Sequence, residues 1–234
     1  MYSGLSANVS SVNGMSNEMR RRTRALRTMA NPKRTYELKA RAESQRRTRE
    51  RIVRATTELH REVGPAKTTV AEIARRAGVQ RLTVYNHFPE DIELFGACQA
   101  HWMGLHPLPD MSATIAHPDP TERVRGVLRG FYGWYRDTAP MAEKIQRDRG
   151  AVPALDALMK QTADARLVQL TQALVGGFGS RGRRAQWQRA LIRLALDFWT
   201  WRSFNGEGLD DNTAADLMTE AIAGVAVVKQ AHVD

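Results

Sequence analysis

The sequence predicts an all-α fold, and three observations carry that prediction. Apolar residues recur at the three- and four-residue spacing of helix faces over most of the chain. Proline and glycine cluster between those stretches, as breakers do. No alternating run long enough for a strand interrupts the pattern, and there is no internal repeat. With 234 residues, 42% hydrophobic and 26% charged, the chain can bury a substantial core in one or two domains.

The elements follow in order. Residues 1–18 are rich in Ser, Asn and Gly without periodicity and are expected to be disordered. Residues 19–42 are basic and interrupted by Asn31-Pro32, and Met19 and Met29 stand beside Met1 as candidate translation starts. A first helix is expected from Glu43 to Val63, with Ile52, Ala55, Thr56, Leu59 and Val63 on one face and Gly64-Pro65 ending it. Two short helices, 69–76 and 80–87, come next. Pro89 then breaks the chain, and Glu90 and Asp91 open a fourth helix that reaches Gly104, their charge suited to a helix N-terminus. The proline-rich stretch 105–119 reads as a linker. Beyond it, helices are expected over 120–137, 141–148 (set apart by Pro140), 152–175, 183–204 and 211–230.

The pair at 69–87 is the most informative segment. Ala74, Gly78 and Val84 fall at i, i+4 and i+10. Ala74 lets the second helix cross closely, Gly78 supplies the positive φ of a tight turn, and Val84 points back to lock the pair. Ile73, Ala77 and Val79 complete a shared core. Such a compact brace is what a helix-turn-helix needs to present its second helix to a DNA groove.

This segment resembles the DNA-binding motif of the TetR family of bacterial transcriptional regulators. Thr69, Ile73, Ala74, Ala77, Gly78, Val79, Thr83, Tyr85, His87 and Phe88, then Leu94 and Phe95, carry the resemblance, which spans about residues 48–96. With the basic, disordered extension over 1–42 and the linker over 105–119 that composition gives, it implies a helix-turn-helix DNA-binding domain over 43–104 and an all-helical ligand-binding and dimerisation domain over 120–234. Base edges are within reach of Gln80, Arg81, Leu82, Thr83 and Asn86: Arg81 can pair with guanine, Gln80 or Asn86 with adenine, and Leu82 and Thr83 can touch a thymine methyl. By resemblance Thr69, Tyr85 and His87 hold phosphates, while Thr69 also suits a helix N-cap and Tyr85 also suits the core. Two positions depart from the family. Asp91 stands where a phosphate-binding lysine is usual, and His60 where an aromatic core residue is more common.

A net charge of +10 points to a polyanionic partner. Between Arg20 and Arg54, fourteen Lys and Arg residues face only Glu37, Glu43 and Glu50. The run reads as a DNA-tracking arm, as a solvated charge run, or as sequence upstream of the true start.

In the C-terminal half, the resemblance implies a homodimer through the last two helices, where Ala215, Ala221, Ala223, Gly224 and Ala226 permit close approach, and a pocket for a small-molecule effector. Phe131, Trp134, Tyr135, Met159, Phe198 and Trp201 are its candidate lining, against the plainer reading that each is core. Asp197, within an apolar run, is expected to pair with Arg125 or Arg193 in preference to a ligand.

Cys98, the only cysteine, reads as a small core residue in a reducing cytoplasm. No apolar run suits a membrane span or an export signal. His101, His106 and His117 lack metal-ligand spacing, and no catalytic or cofactor signature appears, so neither enzyme activity nor a cofactor is expected. The expected protein is a dimeric, ligand-responsive regulator of pseudo-palindromic operators, a repressor by default. The alternative is a constitutive DNA-binding or chromatin-organising protein without an effector.

Overall fold

The computed structural model describes residues 32–227. The readings placed on residues 1–31, including the three candidate starts, lie outside them. Every regular element among the described residues is helical. By internal contact the chain divides into two units, Met1–Arg49 and Glu50–Asp234.

Helix α1, Pro32–Glu62, begins eleven residues before the expected Glu43. The segment KRTYELKARA is composed largely of good helix formers, and a proline in first position costs a helix nothing. In the first unit Glu43 receives hydrogen bonds from Arg46 at 2.7 Å and Arg47 at 2.9 Å, so two of the segment's arginines are already engaged.

In the second unit, the later turns of α1 join three further helices around one core: α2 (Val70–Ala77), α3 (Arg81–His87) and α4 (Asp91–Leu105). Ile52, Val53, Leu59, Ile73, Ala74, Val84, Phe88 and Cys98 are all buried there. Val63, expected on the apolar face, lies past the helix end and is exposed.

A second core lies among α6 (Pro120–Asp148), α8 (Ala165–Gly177), α9 (Gly182–Ala195), α10 (Phe198–Gly206) and α11 (Asp211–Val227). The stretch expected as a linker contains α5 (Ser112–Ile115), and its Leu108 and Met111 pack on this core. Between α6 and α8 runs α7 (Pro153–Met159), continued by a π-helical turn over Lys160–Asp164.

Two further boundaries differ from expectation, each for a tertiary reason. Pro140 does not divide α6. It is exposed, and the helix on both sides of it is anchored by buried Phe131, Tyr132, Tyr135, Thr138 and Met141, which offset the roughly 3 kcal/mol an internal proline costs. The helix expected over 183–204 is broken after Ala195. There the buried hydroxyls of Tyr132 and Tyr135 donate to the carbonyls of Ala195 at 2.9 Å and Leu196 at 2.7 Å. Asp197 then caps α10, accepting from the Trp199 and Thr200 amides at 2.8 and 3.3 Å. Asp197 is therefore an exposed N-cap and not the buried ion-pair partner of Arg125 or Arg193; Arg125 pairs with Glu122 and Asp216 instead.

Candidate nucleic-acid interface and cavity

The helix pair is built as its spacing required. The Thr69 hydroxyl accepts from the Glu72 amide at 3.2 Å and caps α2. Gly78 ends α2 with φ 65°, and the Val79 amide returns to the Ala74 carbonyl at 3.0 Å, a turn that a side chain at 78 would strain. Val84 is 2% exposed and fastens α3 to α2. With one face so anchored, α3 turns the other outward. Leu82 is 65% and Tyr85 52% exposed, and Gln80, Arg81 and Asn86 are exposed with them. Thr83 and His87 are half-buried at its edges, and Thr69 is exposed at the start of α2. Tyr85 does not take the core place that is its other reading; Phe88 is buried there instead.

The charges around this face are sorted. Arg75 is held by Glu72 and Arg76 by Glu62, whereas no described residue engages Arg81. Glu90 and Asp91 are exposed at the start of α4, so that corner offers negative charge where a phosphate contact would want positive.

The reading pair is tied to the far end of α6. The Ala66 amide, in the turn between α1 and α2, donates to Asp148 Oδ2 at 3.0 Å, and Arg147 donates to the Val63 carbonyl at 3.3 Å and to Asp148 Oδ1 at 2.7 Å. Burial alone would raise the Asp148 pKa, but the bonds from Arg147 and Ala66 outweigh it and hold the carboxyl below its ordinary value. Gly64, at φ 96°, leaves no room for a Cβ beside Asp148 and Arg147.

Between the two cores lies a cavity of about 330 Å³. Phe131, Trp134, Tyr135, Met159 and Phe198, five of the six residues expected from the sequence, line it. Trp201 does not; it is buried in the second core and donates to Asp211 at 2.9 Å. The first core supplies wall that the sequence reading missed, including Thr57 and His60 of α1 and Phe95, Cys98 and Trp102 of α4. Only the departure of His60 from the usual aromatic hinted at it. His60 is 3% exposed and stacks on Phe95 with ring centroids 5.3 Å apart. Burial pushes its pKa down to about 4, against a smaller upward pull from Asp148, so the ring is neutral at physiological pH.

Residues 52–98 match the sequence profile of the bacterial regulatory proteins of the tetR family. That segment is a DNA-binding helix-turn-helix of the tetR family type. The fold of the chain agrees: a TetR-like transcriptional regulator from Rhodococcus sp. RHA1 superposes with a TM-score of 0.53 at 21% identity, covering 77% of this chain and 97% of that one. AibR, solved in complex with isovaleryl coenzyme A and operator DNA, gives 0.53 at 19% identity, covering 74% and 97%. No curated protein sequence is similar enough to the chain to count as a relative. The matched segment is thus of the helix-turn-helix type found in DNA-binding transcription regulators. Among the described residues, no helix is long and apolar enough to cross a membrane, and no group of His, Cys, Asp and Glu could hold a metal ion.

Proposed function

We propose that this protein is a cytoplasmic, homodimeric repressor that reads a pseudo-palindromic operator through α3 and leaves it when an effector enters the cavity. The observation that carries the reading is the outward face of α3, where Arg81, Leu82, Tyr85 and Asn86 stand exposed on a helix that Val84 holds rigid. Gln80, Arg81, Leu82, Thr83 and Asn86 address base edges; Thr69, Tyr85 and His87 address phosphates. The division into a DNA-binding domain over 43–104 and a ligand-binding and dimerisation domain over 120–234 belongs to the same proposal.

Dimerisation is supported by apolar surface on the last helices. Trp187 and Leu194 are 44% and 53% exposed on α9, and Leu217 is 47% exposed on α11, where Ala221 and Gly224 leave room for a partner helix. In a dimer the two α3 helices would enter successive major grooves roughly 34–36 Å apart. The cavity favours an effector-responsive protein over a constitutive one, and AibR, solved with both a coenzyme A ester and operator DNA, shows that this fold can hold the two kinds of partner. To move occupancy from 99:1 to 1:99 an effector needs a differential affinity of about 5.5 kcal/mol.

Selection from random duplexes at physiological salt tests the reading. The expected result is a pair of inverted half-sites about one helical turn apart, with specificity relaxed by Arg81→Ala and affinity weakened for all sequences by Tyr85→Phe. Enrichment of no sequence would overturn it.

A further inference from the structure

The cavity wall is apolar and aromatic, with Phe95, Trp102, Phe131, Trp134 and Phe198 among its residues. Most of its buried polar groups are already spent within the protein. Thr57 donates to the Val53 carbonyl at 2.9 Å, Thr138 to the Trp134 carbonyl at 2.7 Å and Tyr135 to the Leu196 carbonyl at 2.7 Å. The less buried Gln99 donates to Thr162 at 2.9 Å. His60 differs from all of these. It is 97% buried (3% exposed), lines the cavity, and has no hydrogen bond to any described residue. A neutral imidazole offers one N–H donor and one acceptor nitrogen, and at the cavity wall these are left for a partner inside the cavity.

The charges around it select what can meet them. Asp148 is the carboxylate whose field reaches His60. Arg149 is held by Asp156 and Asp164, and Arg166 lines the cavity from an exposed position. An anionic ligand group at the His60 end would therefore lie in the field of Asp148, while Arg166, the cation of the wall, stands exposed, an arrangement that disfavours an anion at that end.

We propose that His60 is the hydrogen-bonding anchor of the cavity, and that the ligand is a largely apolar, ring-bearing molecule with a neutral hydroxyl or carbonyl at its α1 end. This rests on the reading of the cavity as an effector site and names the chemistry that site accepts. Because His60 is next to Leu59 and one turn from Thr56, both buried in α1, the ligand's polar end is bonded directly to the scaffold that carries the reading pair.

Three probes of similar size test it: biphenyl, 4-hydroxybiphenyl and biphenyl-4-carboxylate, titrated against the full chain by quenching of tryptophan fluorescence from Trp102 and Trp134. The wild type is expected to bind 4-hydroxybiphenyl about 2- to 12-fold more tightly than biphenyl, the value of one neutral hydrogen bond, and the carboxylate most weakly. His60→Phe should keep its affinity for biphenyl and lose the preference for the hydroxyl; His60→Gln, which retains a donor and an acceptor, should restore part of it. The ratio within each variant cancels any general effect on folding. An unchanged ratio in His60→Phe overturns the anchor while leaving the cavity a binding site, and tighter binding of the carboxylate overturns the neutral ligand. If the wild type binds none of the three, the effector-site reading itself falls and the anchor with it.

Discussion

His60 also ties stability to pH. Its folded pKa of about 4 lies below the 6.5 of an exposed imidazole, so between those values the unfolded chain binds the extra proton. The neutral ring's contribution is fully present above pH 6.5 and is lost as pH falls towards 4, a change of about 3 kcal/mol over that window. Asp148 does not cancel this, because its own carboxyl stays ionised to lower pH than usual. Urea melts at pH 7, 5.5 and 4 should show wild type losing more stability than His60→Phe by that amount; parallel losses would show that His60 is not buried neutral. At this scale the sequence was most legible where the signal was local. Ala74, Gly78 and Val84 are set by helix period and one positive φ within eleven residues. The place of His60 in a cavity wall depends on α4, α6 and α7, which neighbouring residues do not encode.

At the scale of elements, the bond between Asp148 and the Ala66 amide couples the end of α6 to the turn that precedes α2 across 82 residues of sequence. Asp148→Ala strands that amide and frees Arg147, and should lower stability by about 1–3 kcal/mol, read as a fall of several degrees in Tm. Asp148→Asn, which keeps the acceptor oxygen, should lose less. Gly64→Ala should cost about as much as the alanine variant, since it combines a strained φ with a side chain where none fits. Equal melting of all three proteins and wild type would show that the clasp carries no load. The existence of most helices was legible in apolar periodicity, while their ends were decided elsewhere. Pro140 stays inside α6 because the flanking turns are buried, and α9 stops at Ala195 because tyrosines from α6 take its last carbonyls. The π turn in the wall, whose Thr162 donates to Leu158 at 2.8 Å and accepts from Gln99, left no trace that periodicity could find.

For the whole molecule, the outward apolar side chains of α9 and α11 make assembly the quantity to measure. Leu194→Glu is expected to leave the helical content intact, shift the protein from dimer to monomer in sedimentation at micromolar concentration, and weaken operator binding by more than tenfold, because a lone α3 reads only half a site. A dimer of unchanged strength would move the interface away from this face. The fold class and the reading pair were legible from one sequence because both rest on short-range pattern; the cavity was half legible, since its second half comes from the other core. One consequence follows from where that division falls. Cys98, the chain's sole thiol, is 5% exposed in the wall between the cores, its sulfur 3.8 Å from the Val53 carbonyl. So little of it is exposed that a maleimide should alkylate it slowly, and a molecule lodged inside should slow the reaction further without any label having been engineered.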